Sequence, residues 1–302
     1  MSEPIATHKP RLSLGPLLYY WPREQVLDLY AEVLEGPVDV VYLGETVCSK
    51  RRQMRPEDWW ELAGRVAAAG KEPVISTLAL IEADSELKQL ERLCADRRFL
   101  VEANDLGALE YLEGRPFVAG PSINLYNQRT LGLLAGLGLS RWVLPVELGR
   151  ETLADLIRLR PPGVECELFA FGRLPLAYSA RCFTAYNQGL GKDDCGFRCI
   201  DYPDGLMVST QEGRPFLTLN GIQTQSAATH DLLPRLGELR ASGVDLLRIS
   251  PQSRRTAGVI ETFAACLRGD LDLQEGQARL RAWAPAGLVD GYWSGRAGIA
   301  AG

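Results

Sequence analysis

The stretch GKDDCGFRCIDY, Gly191 to Tyr202, sets Cys195 and Cys199 in a Cys-x-x-x-Cys spacing. Two thiolates placed this way are half of a four-sulfur metal site. Cys182 lies upstream in YSARCF and Cys48 much further back in LGETVCSKRR. Four thiolates suit a structural Zn²⁺ or an iron–sulfur cluster. Zinc ribbons favour paired Cys-x-x-Cys knuckles, and assembly from distant loops suits a cluster slightly better. Spacing leaves both open, along with the reading that these are scattered loop thiols. Cys94 and Cys266 fall in helical patterns and Cys166 in a strand, so these three read as small buried hydrophobes.

Carboxylates and cations come next. Glu165 and Glu167 share a strand parity opposite to Cys166, Leu168 and Ala170, so they should point into the core of a barrel and require partners. Arg173, Arg181 and Arg150 are the candidates, and an ion-pair network competes with a proton-handling role. Lys50, Arg51 and Arg52 follow Cys48 directly, either as a solvated face or as cations reaching a cleft or a negatively charged cluster. Glu45 and Glu147 end strands, and Asn124 and Asn127 sit in a loop, as substrate contacts or loop hydrogen bonders. The weak catalytic candidates are Glu165, Glu167, Arg51 and Glu147. Trp59 and Trp60, on an outer helix, should pack or meet a partner.

The elements that position these residues follow a repeated rhythm. Apolar β-branched runs such as VDVVYLG, PVISTLAL, FLVEAN and VECELFAF alternate with helical patterns such as PREQVLDLYAEVLEG and RPEDWWELAGRVAAAG. Eight strands, seven followed directly by a helix, predict an α/β (β/α)8 TIM-like barrel with an insertion between strands seven and eight. The insertion, about residues 172–243, holds a hairpin of LMVST and PFLTLN and a helix near ATHDLLPRLGELRASG. A doubly wound sheet is the rival, but no Gly-x-Gly-x-x-Gly turn follows the first strand. The boundaries expected are a loose leader at 1–10, one barrel domain at 11–293 and a loose tail at 294–302. Cys48, Cys182, Cys195 and Cys199 then all fall on the loop side of the barrel that supports chemistry.

Composition narrows the function. A net charge of −5 without a long basic run does not support nucleic-acid binding. The first ten residues lack the apolar region of a signal peptide, and LGLLAGLGLS is too short to span a bilayer, so the expectation is a cytoplasmic protein that is not transmembrane. In a reducing cytosol, seven cysteines are not a disulfide framework. With only two histidines, His8 and His230, a histidine-rich metal site or a Ser-His-Asp triad is not expected.

The segment ECELFAFGRLPLAYSARC resembles the signature of the collagenase-like peptidase family, with Glu165, Glu167, Phe169, Gly172, Ser179 and Cys182 in matching places. It departs from that pattern at Leu174-Pro175, where the family has Leu-Cys, at Phe171 for His and at Ala180 for Gly. The stretches SLGPLLYYWP, VYLGETVCSKRR, STLAL, PFVAG, PVELGR, LPLAYSARCFTA and LNGIQTQS, spanning Leu12 to Trp293, are similar to one branch of it. That branch pairs with the homologous barrel UbiU in oxygen-independent ubiquinone biosynthesis and uses a cysteine in the VCSKRR loop. The resemblance implies one 4Fe–4S cluster held by Cys48, Cys182, Cys195 and Cys199. It implies hydroxylation of ubiquinone precursors without O₂, prephenate as a candidate oxygen donor, and the lipid carrier UbiT as a further partner. A structural or electron-relay subunit is the alternative. Peptidase activity has little support: there is no His-Glu-x-x-His motif, and no histidine is placed to activate Cys182.

Overall fold

The structure is a computed structural model and describes residues 9–301; most of the expected leader, including His8, lies outside the described residues. Strand and helix alternate through β1 (Arg11–Leu14), α1 (Arg23–Glu35), β2 (Val40–Leu43), α2 (Pro56–Ala68), β3 (Glu72–Ser76), α3 (Asp84–Ala95), β4 (Leu100–Ala103), α4 (Ala108–Tyr111), β5 (Phe117–Ala119), α5 (Gln128–Gly136), β6 (Leu139–Val143), α6 (Arg150–Arg158) and β7 (Glu165–Gly172). An excursion follows, with β8 (Pro175–Tyr178), α7 (Phe183–Asn187), β9 (Leu206–Ser209), β10 (Pro215–Asn220), β11 (Gln223–Ser226), β12 (Thr229–Asp231) and α8 (Leu236–Ser242). The chain ends with β13 (Leu246–Ile249), α9 (Thr256–Arg268), α10 (Leu273–Trp283) and β14 (Leu288–Val289).

Strands β1 to β7 pair in parallel with their sequence neighbours, and β13 pairs in parallel with both β1 and β7, which closes an eight-stranded TIM barrel. Side-chain parity divides each strand between two cores. Val41, Leu43, Ile75 and Val101 face outward into the large core under the helices. Val40, Tyr42, Val74, Val118, Val143 and Leu246 face inward as a separate cluster. Helix α2 shows why the outer layer forms: Pro56 starts it, and Trp59, Leu62, Ala63 and Val66 repeat at the helical period and are buried.

The excursion departs from expectation. The LMVST/PFLTLN hairpin is present as β9–β10, but it belongs to a four-stranded antiparallel sheet in the order β8-β11-β10-β9. The helix expected from Ala228 starts only at Leu236, because Thr229–Asp231 instead pairs antiparallel with the end of β7. On that edge of β7, β6 ends opposite Glu167, and the end of β7 is left unpaired without β12, so tertiary pairing overrides helical propensity. Asp231 Oδ1 accepts from Leu233 N at 2.9 Å and turns the chain toward α8. Helix α10 is an element the sequence reading did not place. In the expected tail, Ala300 O accepts from Asp290 N at 3.2 Å and Gly291 O from Arg296 N at 2.8 Å. No helix of the described residues is long and apolar enough to cross a membrane.

The exit from β2 aims the loop that carries Cys48. Gly44 has φ +126°, and a Cβ there would lie 2.6 Å from the Ser76 carbonyl oxygen. Gly44→Ala should therefore destabilise the protein by about 1–3 kcal/mol. This would be read as a lower urea midpoint with an unchanged m-value; an unaltered midpoint would show that the strand exit relaxes freely.

Candidate functional site

The four singled-out cysteines lie on two loops at the C-terminal side of the barrel strands. Cys48 follows β2, and Glu45 Oε1 organises its turn by accepting from Val47 N (2.9 Å) and Cys48 N (3.1 Å). Cys182 caps the short α7, its Sγ accepting from Ala185 N at 3.4 Å. Gly196 and Phe197, at φ +55° and +54°, make the left-handed bend between Cys195 and Cys199. Cys48 and Cys182 pack against the same small apolar group of Leu18, Val47 and Ile222. Cys199 interacts electrostatically with both Cys48 and Cys182. All seven cysteines are free thiols, and Cys94, Cys166 and Cys266 are buried as expected. Among the described residues no group of three or more His, Cys, Asp or Glu side chains stands close enough together to hold a metal ion.

The cationic run after Cys48 splits into three roles. Lys50 ties its loop to the excursion, donating to Lys192 O at 3.0 Å and to the Asp193 carboxylate. Arg51 is buried: Nη1 donates to Leu18 O at 2.7 Å and Nη2 to Asn220 Oδ1 at 2.7 Å, and Glu45 lies 3.4 Å from Nη1. Its guanidinium also lies 5.7 Å from the Tyr20 ring centroid. Arg51 thus joins the loops after β1 and β2 to the end of β10. Its charge acts on Cys48 and Cys199, while its Nε is buried without a hydrogen-bond partner. Burial pushes the Cys48 thiol up to about 11, against the pull of Arg51. Arg52 is exposed.

Glu165 and Glu167 do point into the barrel, but their partners are not Arg173, Arg181 or Arg150. Glu167 accepts from Arg248 Nε at 2.7 Å, from Ser13 Oγ at 2.6 Å and from the Tyr42 hydroxyl. Arg248 Nη1 reaches Glu102 at 2.8 Å, and its guanidinium lies 4.0 Å from the Tyr42 ring centroid. Glu165, the first residue of β7, meets Arg11 and Arg141, and Arg141 also meets Glu72 at 3.0 Å. Strand register decides this, since it sets Arg141 beside Glu165 and Arg248 beside Phe169 within the ring. Arg173 instead donates to the carbonyls of Ala227 and Asp204, Arg150 pairs with Glu238 at 3.7 Å, and Arg181 is exposed. Glu102, Arg141 and Arg248 were missed, although each is a charge inside an apolar run (LVEAN, SRWV, LLRIS) that could have flagged it.

Glu147 is exposed and accepts from Tyr126 Oη at 2.7 Å. Asn127 caps α5 by accepting from Arg129 N and Thr130 N, and Asn124 occupies a left-handed position at φ 57°. Trp59 and Trp60 line a cavity of about 640 Å³ between α2 and α3, whose wall also includes Ser49 and Arg51. His230 Nδ1 and Asp231 Oδ2 are buried without hydrogen-bond partners.

A closed eight-stranded barrel with a cysteine-bearing excursion at its loop face defines a (β/α)8-barrel protein. The chain belongs to peptidase family U32, whose model matches residues 27–295. It is similar to the solved U32 peptidase Mk0906 at 11% identity, covering 83% of this chain and 97% of that one, with a TM-score of 0.44. Other similar structures are dihydropteroate synthase from Thermus thermophilus (13% identity, 85% and 94% covered, TM-score 0.42) and ligand-free tryptophan synthase from M. tuberculosis (12%, 86% and 94%, TM-score 0.46).

Two outcomes follow from these buried charges. Arg248→Met leaves Glu102 and Glu167 without their shared cation and should cost about 3–5 kcal/mol in urea unfolding; a loss no greater than that of the exposed Arg268→Met would refute the network's structural role. The second concerns pH. Burial, opposed by Asp290, lowers the His230 pKa from 6.5 to about 4. Stability linked to it is complete above 6.5 and lost as pH falls through about 4. Burial raises Asp231 from 3.8 to about 6, with Asp290 adding to the rise and the Leu233 N–H and Arg281 opposing it. Its linked stability is present below 3.8 and lost as pH rises through about 6, the opposite sign. Asp231→Asn should therefore uncover a rise of roughly 2–3 kcal/mol between about pH 4.5 and 6.5. A flat profile in urea titrations at those pH values would count against it.

Proposed function

We propose that the chain represents the UbiV branch of its family: a 4Fe–4S protein that works with a UbiU-type barrel in oxygen-independent hydroxylation of ubiquinone precursors. The observation that carries this reading is Cys48 and Cys182 in one apolar group, with the buried Arg51 acting on Cys48 and Cys199, and Lys50 acted on by Cys195. The donor set fits the cofactor. Four free thiols suit iron–sulfur ligation, and Arg51 supplies a fixed positive charge and an unpartnered Nε–H for a negatively charged tetrathiolate centre.

Cys48, Cys182, Cys195 and Cys199 would hold the cluster, which when bound supplies one-electron chemistry. The chain's own residues do the rest. Glu45 fixes the turn of Cys48, Arg51 excludes water and counters thiolate charge, and Lys50 holds the excursion loop against the β2 loop. The loops would have to draw the thiols together on metal loading, so binding and local ordering are coupled. An electron-relay subunit whose partner does the chemistry uses the same ligands.

Anaerobically purified protein should be brown, absorb broadly near 400 nm and contain about four Fe and four sulfide per chain. Cys48→Ser should lose the colour while Cys94→Ser keeps it. A colourless protein with one Zn²⁺ refutes the reading, and peptide cleavage inhibited by thiol reagents would replace it with the activity in the family's name.

A further inference from the structure

The cavity between α2 and α3 is large and is used by none of the roles above. Its volume of about 640 Å³ lies in the range of small-molecule sites. Met54, Trp59, Leu78 and Leu90 are buried along its wall, with Trp60 and Leu93 half-buried beside them. The mouth is cationic. Arg52, Arg55 and Lys88 line it, all three are exposed, and none is paired with a carboxylate among the described residues. Arg92 also lines it but is engaged, 2.9 Å from Glu57 and over the Trp60 ring.

The two carboxylates in the lining are already committed. Glu45 accepts from the Val47 and Cys48 N–H groups and faces Arg51. Glu86 accepts from Ser49 Oγ, from Glu82 N at 2.7 Å and from Ala83 N at 3.2 Å. The first turns of α2 and α3 also border the space, through Pro56 and Ser85, and a helix start favours negative charge. A pocket with an apolar wall and unpaired cations at its rim, in a chain of net charge −5, selects for one combination of properties. Inorganic phosphate would leave the tryptophan wall unused, and a neutral hydrocarbon would leave the cations unused.

We propose that this cavity binds an amphiphilic anion, a small molecule with an aromatic body and one acidic head group. The body packs on Trp59, Trp60, Leu90 and Leu93, and the head meets Arg52, Arg55 and Lys88. Ser49 and Arg51 form part of the wall, so the occupied pocket adjoins the loop of Cys48. The inference stands apart from the iron–sulfur reading, because nothing in the pocket requires a metal.

The test uses two probes with the same aromatic body on the full chain: 8-anilinonaphthalene-1-sulfonate, an anion, and N-phenyl-1-naphthylamine, which is neutral. The anion should bind one site saturably with a Kd on the order of 10 µM, and the neutral probe about tenfold more weakly. The triple variant Arg52→Gln/Arg55→Gln/Lys88→Gln, confined to exposed side chains, should weaken the anion about tenfold and leave the neutral probe unchanged. Leu93→Trp, which fills the pocket, should abolish binding of both while far-UV circular dichroism stays native. Equal binding of the two probes, or an anion affinity unmoved by the triple variant, overturns the proposal. Anaerobically purified protein that lacks iron yet binds the anion refutes the cluster alone, and iron content that persists without anion binding refutes the pocket alone.

Discussion

A guanidinium held among oxygens from three loops organises the functional face. Burying Arg51 is costly unless its donors are matched, and Leu18 O, Asn220 Oδ1 and Glu45 meet its two Nη groups from the loops after β1 and β2 and from the end of β10, leaving Nε without a partner. The β2 loop cannot move away from the excursion without leaving that charge unpaired. The position of Cys48 relative to Cys182 is therefore set by hydrogen bonds of Arg51 and Glu45, with the apolar contact among Leu18, Val47 and Ile222 added to them. Lys50, bonded to Lys192 O, repeats the attachment at the surface.

A second set of charges divides the barrel interior along its axis. Arg11, Glu72, Arg141 and Glu165 form one layer at the N-terminal ends of the strands. Arg248 bridges Glu167 and Glu102 further up, with Tyr42 between the two layers, bonded to Glu167 and 3.3 Å from Arg141. Pairs buried this fully contribute little net stability compared with apolar packing, but an unpaired member is expensive. A one-residue slip of β7 would turn both glutamates into the helical layer, so these pairs hold the register as well. Glu165 and Glu167 are thereby both engaged in ion pairs.

Periodicity carried most of this fold. The strand–helix alternation, the parity of Glu165 and Glu167, and the burial of Cys94, Cys166 and Cys266 were all legible, because each depends on local spacing. The arginine partners were not. Arg173 and Arg181 are near in sequence, whereas ring closure brings Arg248 and Arg141 beside the glutamates through pairing that no local pattern encodes. The same reason hid β12, a short polar strand that exists only because β7 offers an edge. The tryptophans were expected to pack or meet a partner, and Trp59 does meet Tyr30 edge-on at 6.0 Å. That both also face a cavity depends on how α2 and α3 diverge.

The barrel mouth bears on where a small molecule could sit. In this architecture chemistry belongs at the C-terminal ends of the strands, yet the space over the barrel axis is nearly filled. Phe169, Arg248 and Asn104 from below meet Pro175 and Tyr178 of β8, leaving about 20 Å³, room for roughly one water. The buried Arg248 Nη2 and Thr46 Oγ1 border that space without protein partners. The excursion sheet thus caps the axis, and the space beside β2 and β3 is over thirty times larger by volume. Capping the axis and opening the flank have one consequence: the cysteine loop after β2, with Thr46 bordering the axial space and Ser49 and Arg51 in the cavity wall, stands between the two spaces.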